Sequence, residues 1–75
     1  MQEKNLKKVC ENVAERLFYD VLHIFNYPHN ADDIEKAKRV CLSYLFNYNE
    51  KEVKFIKERV DELFQEYKDD FIPYV

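Results

Sequence analysis

The sequence predicts a small all-α domain, an up-down-up bundle of three helices at about 2–26, 31–46 and 50–71. Glycine is absent from the 75 residues, whereas tight turns and most all-β folds need glycine at positions of positive φ. Three segments carry apolar residues at steps of three and four, which gathers them on one side of an α-helix. The connections between the segments are short, so consecutive helices are expected to lie antiparallel.

The first predicted helix, 2–26, carries the longest apolar stripe. Between Leu17 and Tyr27 the segment is apolar or aromatic almost all the way round, as expected of a helix end that is buried on several sides. Pro28 stops the helix and favours an extended conformation at Tyr27. The predicted apolar side comprises Leu6, Val9, Cys10, Val13, Ala14, Leu17, Phe18, Val21, Leu22, Ile24 and Phe25.

The second predicted helix, 31–46, is the shortest. Asn30 is a suitable N-cap, and Asp32 and Asp33 in the first turn complement the helix dipole. Asn47 tolerates a left-handed backbone, so the helix is expected to stop near Phe46. The predicted buried face comprises Ile34, Ala37, Val40, Cys41, Tyr44 and Leu45.

The third predicted helix, 50–71, has the best specified start. Asn49 is a suitable N-cap, and Glu52 stands three residues later as in a capping box. Pro73 cannot continue the helix, which is expected to end near Phe71. Its apolar residues are Val53, Ile56, Val60, Leu63, Phe64, Tyr67 and Phe71.

The predicted helices differ in length, roughly 36, 22 and 33 Å in chain order at 1.5 Å per residue. The middle helix cannot cover both neighbours, so part of the long pair is left uncovered. The chain also contains six Phe and six Tyr, and exposed aromatic side chains are typical of protein interfaces. The alternative is a small bundle that wraps its aromatic side chains around its own edges.

We therefore predict an interface at the end of the bundle where the first helix stops. Two chains would bury this end about a two-fold axis, with Arg16 of one chain meeting Asp69 or Asp70 of the other. In a competing arrangement Tyr74 and Val75 fold back as a lid. The candidate interface residues are Leu17, Phe18, Tyr19, Val21, Leu22, Phe25, Tyr27, Phe55, Tyr67, Phe71, Ile72 and Tyr74.

One candidate polar cluster, Arg16, Asp20 and His23, lies on a single side of the first helix. A carboxylate one turn from an imidazole suits a base-orienting pair or half of a metal site. We favour a surface or interface ion-pair cluster, with a pH- or partner-sensing role as the second interpretation. His29 and the acids that follow it are explained by helix capping. We expect no metal and no cofactor.

Nucleic-acid binding is the alternative function. The basic clusters are Lys4, Lys7 and Lys8 on the first helix and Lys36, Lys38 and Arg39 on the second. Against this function, the net charge is −3, and the third helix, which would read DNA in a helix-turn-helix, is strongly acidic on its solvent side. Motifs for nucleophilic, nucleotide or zinc chemistry are absent, so we expect a protein that is not an enzyme.

The remaining observations concern stability and location. Cys10 and Cys41 fall on predicted core faces without metal-ligand spacing, which predicts free thiols. No apolar run reaches membrane-spanning length, and the first eight residues lack the apolar core of a signal peptide, so we expect a cytoplasmic protein with no membrane association. A chain this short is marginally stable alone. The predicted function is binding to a protein partner, with a second copy of the chain as the first candidate.

Overall fold

The computed structural model describes residues 3–71, which form three α-helices joined by two short connections. The helices are α1 (Glu3–Ile24), α2 (Ala31–Ser43) and α3 (Glu50–Phe71). Each helix packs against the other two, and α1 makes its most extensive contact with α3. No strand occurs within residues 3–71. The predicted all-α three-helix bundle is therefore confirmed; the predicted first helical residue, Gln2, lies outside the described residues.

The first helix ends two residues earlier than predicted. The N–H of Asn26 donates to the carbonyl of His23 (3.1 Å), and the N–H of Tyr27 donates to that of Leu22 (2.8 Å). These bonds form a Schellman motif, with Asn26 in the left-handed region at a φ of 57°. Tyr27 also has a positive φ, 52°, so the extended conformation predicted before Pro28 is wrong. The bond to Leu22 holds Tyr27 in a conformation that costs about 1–2 kcal/mol for a residue with a Cβ.

The second helix stops at Ser43, three residues before its predicted end. The Ser43 hydroxyl donates to the carbonyl of Val40 at 2.6 Å, and the N–H of Tyr44 donates to the carbonyl of Cys41 at 3.3 Å. In a continuing α-helix the Tyr44 N–H would donate to Val40 instead. The serine side chain competes with the backbone for that acceptor, which favours a turn over another helical residue.

The N-caps of α2 and α3 are those predicted. The side-chain oxygen of Asn30 accepts the N–H of Asp33 at 2.9 Å. The side-chain oxygen of Asn49 accepts the N–H of Glu52 at 2.9 Å, and the Glu52 carboxylate accepts the N–H of Asn49 at 3.1 Å. This reciprocal pair is a capping box, which fixes the residue at which α3 begins.

We expect Asn49→Ala to lower the free energy of unfolding by about 1 kcal/mol, because the Glu52 N–H loses its acceptor. Asn47→Ala is the matched control, since Asn47 is exposed in the preceding turn. Urea unfolding followed by circular dichroism measures both variants. Equal losses in the two variants would contradict the capping role of Asn49.

The core takes one face from each helix, and no polar or charged side chain among the described residues is buried in it. Both cysteines are free and buried, as predicted. Burial raises the pKa of Cys41 to about 11, so this thiol stays protonated and unreactive at neutral pH. The buried core residues are Cys10, Ala14, Phe18, Val21, Leu22, Ile34, Ala37, Cys41, Leu45, Ile56, Val60, Leu63, Phe64 and Tyr67.

Candidate functional site

Four of the predicted interface residues, Phe18, Val21, Leu22 and Tyr67, lie in the core of a single chain. The ring of Phe18 stands edge to face with Phe64 and Tyr67 at centroid distances of 4.9 and 6.1 Å. The aromatic side chains of α3 therefore cover Phe18 within the single chain. These four residues are buried before any partner binds, and the predicted end-on contact through the remaining residues stays a prediction.

The other predicted interface residues fall into three groups. The exposed ones are Tyr19 and Tyr27. The half-buried ones, packed against the core, are Leu17, Phe25 and Phe55. Those outside the described residues are Ile72, Tyr74 and the side chain of Phe71, and the lid of Tyr74 and Val75 lies outside them as well.

Tyr67 ties α3 to the connection between α1 and α2. Its hydroxyl donates to the carbonyl of Pro28 at 2.8 Å in a buried hydrogen bond. Burial, and to a smaller extent the neighbouring Tyr27, raises the pKa of Tyr67 above its ordinary value. The bond holds α3 at the point where the chain reverses direction, so Tyr67 has a structural role.

We expect Tyr67→Phe to lower the free energy of unfolding by about 1–3 kcal/mol, because the Pro28 carbonyl stays buried without this donor. The folded-state pKa of Tyr67 is raised. Its stabilisation is therefore complete below the unfolded pKa of about 10 and is lost as the pH rises through the folded pKa. Thermal unfolding from neutral to alkaline pH should show a steeper alkaline loss for wild type than for Tyr67→Phe.

Tyr19→Phe is the control for that titration, because Tyr19 is exposed and the shift at Tyr67 comes from burial. Its alkaline slope should match that of wild type. An identical slope for wild type and Tyr67→Phe would contradict the buried hydrogen bond.

The predicted polar cluster lies on the exposed side of α1. Within the described residues, no hydrogen bond or ion pair joins Arg16, Asp20 and His23 to one another. The imidazole of His23 lies against Tyr27, with 3.4 Å between Nδ1 and the tyrosine Oη and the two rings perpendicular at a centroid distance of 5.8 Å. Asp20 therefore does not orient His23, and no group of three potential metal ligands assembles in residues 3–71.

Beside this cluster lies a surface formed by apolar residues that were predicted to be buried but are exposed. The helical stripes predict burial for Val9, Ile24 and Tyr44, but their exposed fractions are 48%, 66% and 44%. Around α1, at 100° per residue, Val9 and Ile24 lie about 140° and 80° from the fully buried Ala14, so both fall off the centre of its buried side. We call the exposed side of α1 the α1 face; it comprises Val9, Val13, Arg16, Asp20, His23 and Ile24.

Three adjoining shallow hollows follow the α1 face and share lining residues. The hollow nearest the C-terminal end of α1, called distal, is lined by Tyr19, Asp20, His23, Ile24 and Tyr27. The proximal hollow is lined by Val9, Asn12, Val13, Arg16, Leu17 and Tyr48. The middle hollow is lined by Leu17, Asp20, Val21, Ile24 and Tyr44. Among the residues whose side chains are described, six large apolar ones are exposed; five of them line these hollows, and the sixth, Phe46, does not.

Ion pairs occupy the other sides of the bundle. Arg59 on α3 contacts Glu15 at 3.0 Å and Glu62 at 3.4 Å, and Lys38 on α2 contacts Asp61 at 2.9 Å. The hydrogen bond to Glu15 is the main cause of a raised pKa at Arg59. Because Lys38 already faces an acid of α3, the basic side of α2 is partly neutralised within the chain. Exposed pairs of this kind contribute about 0–1 kcal/mol each.

Comparisons of the chain with protein-family models, with curated proteins and with solved structures gave no match. In residues 3–71, no helix combines the length and the hydropathy that a membrane span requires.

Proposed function

We propose that this chain is a small, non-enzymatic interaction module that binds protein, including a second copy of itself, through the α1 face. The observation that carries the proposal is the contiguous row of hollows in which Val9, Ile24 and Tyr44 are exposed. Scattered apolar side chains are normal on a protein surface, but a connected apolar patch rimmed by polar groups is typical of an interaction site.

The size of the domain also supports self-association. The chain has a mass of 9.2 kDa, and a domain this small buries a lower fraction of its surface than a larger one. Covering Val9, Ile24 and Tyr44 removes further apolar area from water, worth about 25 cal/mol per Å². Binding of a second copy to the folded state raises the apparent stability of both. A reducing compartment such as the cytoplasm suits the two free thiols.

Nucleic-acid binding is the second candidate because Lys4, Lys7 and Lys8 are all exposed at the start of α1. The pairing of Lys38 with Asp61 and the acidic solvent side of α3 count against it. Phosphate binding would make any affinity for DNA fall steeply with added salt, which an interface centred on apolar side chains does not require.

Sedimentation equilibrium over a wide range of concentrations tests the proposal. We expect the average mass to rise from 9.2 kDa toward twice that value as the concentration increases. A single-chain mass throughout the range would contradict self-association. A parallel titration with random-sequence DNA at low and moderate salt examines the second candidate: salt-sensitive binding by a monomer would favour nucleic acid over a protein partner.

A further inference from the structure

We infer that two copies of the chain pair through antiparallel α1 helices about a two-fold axis level with Phe18, so that Arg16 of each copy meets Asp20 of the other. This inference rests on the proposed function, because it specifies the surface and the orientation of the self-association proposed above. The two-fold axis crosses the exposed side of α1, opposite the buried Phe18 side chain. The occupant of the α1 face is a second copy of the same face.

The residues of the α1 face are spaced along α1 so that a second helix can pack against them. Val9, Val13, Arg16, Asp20 and His23 recur at alternating steps of four and three, the spacing of the a and d positions of a heptad, with apolar residues at the first two and polar residues at the other three. None of these five side chains is buried in the single chain. Side chains in such a seam insert as knobs between residues of the facing helix. These residues therefore form one line along the solvent side of α1, against which the α1 helix of a second copy can lie.

The hollows are related by the same symmetry. In an antiparallel pair, the axis brings together residues that lie equally far from position 18 in opposite directions. Two residues lining the distal hollow then face two of the α1 residues lining the proximal hollow of the other copy. These facing pairs, which lie near the line opposite Phe18, are Asp20 with Arg16 and His23 with Val13.

Charge selects this orientation. Arg16 and Asp20 are exposed, and neither forms an ion pair within the described residues. The antiparallel arrangement gives each of them an opposite charge on the other copy, so two equivalent ion pairs form about the axis. A parallel in-register pair would place Arg16 against Arg16 and Asp20 against Asp20, which is unfavourable. Charged pairs at the centre of a helix contact set its register, and the apolar residues on both sides supply the buried area.

The α1 helix is long relative to the molecule. The molecule measures 44 × 21 × 16 Å, and α1 with its 22 residues extends for about 33 Å of the long dimension. A specific interface needs about 800 Å² from each partner. The α1 face, together with Tyr44 and Tyr48, which line the middle and proximal hollows, is the surface over which the two copies would bury that area.

Charge reversal tests the inference. Arg16→Asp alone and Asp20→Arg alone should each raise the dimer dissociation constant at least about tenfold, because like charges then meet across the axis. The double variant Arg16→Asp/Asp20→Arg should return the constant to near the wild-type value. An equimolar mixture of the two single variants should form a mixed dimer in preference to either homodimer, which native mass spectrometry detects. Arg39→Asp, at an exposed position of α2, is the control for net charge.

The outcomes separate this inference from the proposed function. Circular dichroism verifies that each variant is folded. A wild-type dimer whose constant is unchanged by both single reversals would overturn the antiparallel pairing and leave the proposed self-association intact. A wild-type chain that stays monomeric would overturn both. A double variant that associates as weakly as the single variants would also overturn the pairing of Arg16 with Asp20.

Discussion

Replacing Phe18 with alanine is expected to leave much of the chain unfolded at room temperature. Phe18 is 6% exposed and stands edge to face with Phe64 of α3 at 4.9 Å and with Tyr67 at 6.1 Å. Truncating a buried phenylalanine costs about 3–5 kcal/mol, because the lost apolar contacts leave a cavity. A small domain has a total stability of only about 5 kcal/mol or slightly more. Urea unfolding at a low protein concentration measures the loss without a contribution from association.

Phe46→Ala is the matched control for Phe18→Ala. Phe46 is 80% exposed in the connection between α2 and α3, so the same truncation there should change the free energy of unfolding by no more than about 0.5 kcal/mol. Similar losses at Phe18 and Phe46 would contradict the placement of Phe18 in the core between α1 and α3.

Ile24→Asp is expected to abolish self-association while the helices stay folded. Ile24 is 66% exposed in the single chain and lines both the distal and the middle hollow. In the proposed dimer the new carboxylate would be buried without a partner, which costs a few kcal/mol and raises the dissociation constant at least about 100-fold. Sedimentation equilibrium measures the constant, and circular dichroism monitors the helices.

Two variants control for Ile24→Asp. Ile24→Leu keeps an apolar side chain of the same size and should associate as the wild type does. Phe46→Asp introduces the same charge at a more exposed apolar residue that lines none of the hollows along α1, and it should also associate normally. If Phe46→Asp dissociates the dimer and Ile24→Asp does not, the contact lies beside the α2–α3 connection instead of on the α1 face.

The helices could be predicted because their signals are local. The capping box of Asn49 and Glu52 involves residues three positions apart, and it forms as the sequence indicates. The helices α1 and α2 end earlier than predicted because of individual hydrogen bonds formed at those ends. Ser43 takes the acceptor that α2 would need to continue, and Tyr27 accepts a left-handed backbone because its N–H reaches Leu22. The apolar periodicity of the sequence continues past both helix ends, so it does not predict where α1 and α2 stop.

The candidate surface could be predicted only in part. Periodicity shows which side of a helix is apolar, but not which neighbouring element covers it. Phe18 and Tyr67 therefore looked equally suited to an interface and to a core, and contacts within the chain bury both. Val9 and Ile24 belong to the predicted core stripe, but they lie off the centre of the buried side of α1 and stay exposed. The polar residues Arg16 and Asp20, which interrupt the same side of α1, were the signal that this stripe reaches solvent.

Methyl NMR spectra recorded over a dilution series test most directly whether the α1 face is the contact surface. We expect the methyl signals of Val9, Val13 and Ile24 to shift together with concentration, since these side chains move from solvent into the contact. The signals of Ile34 and Ile56, which are buried in the single chain, should stay in place. Shifts confined to other surfaces, or spectra that do not change at any concentration, would contradict self-association through the α1 face.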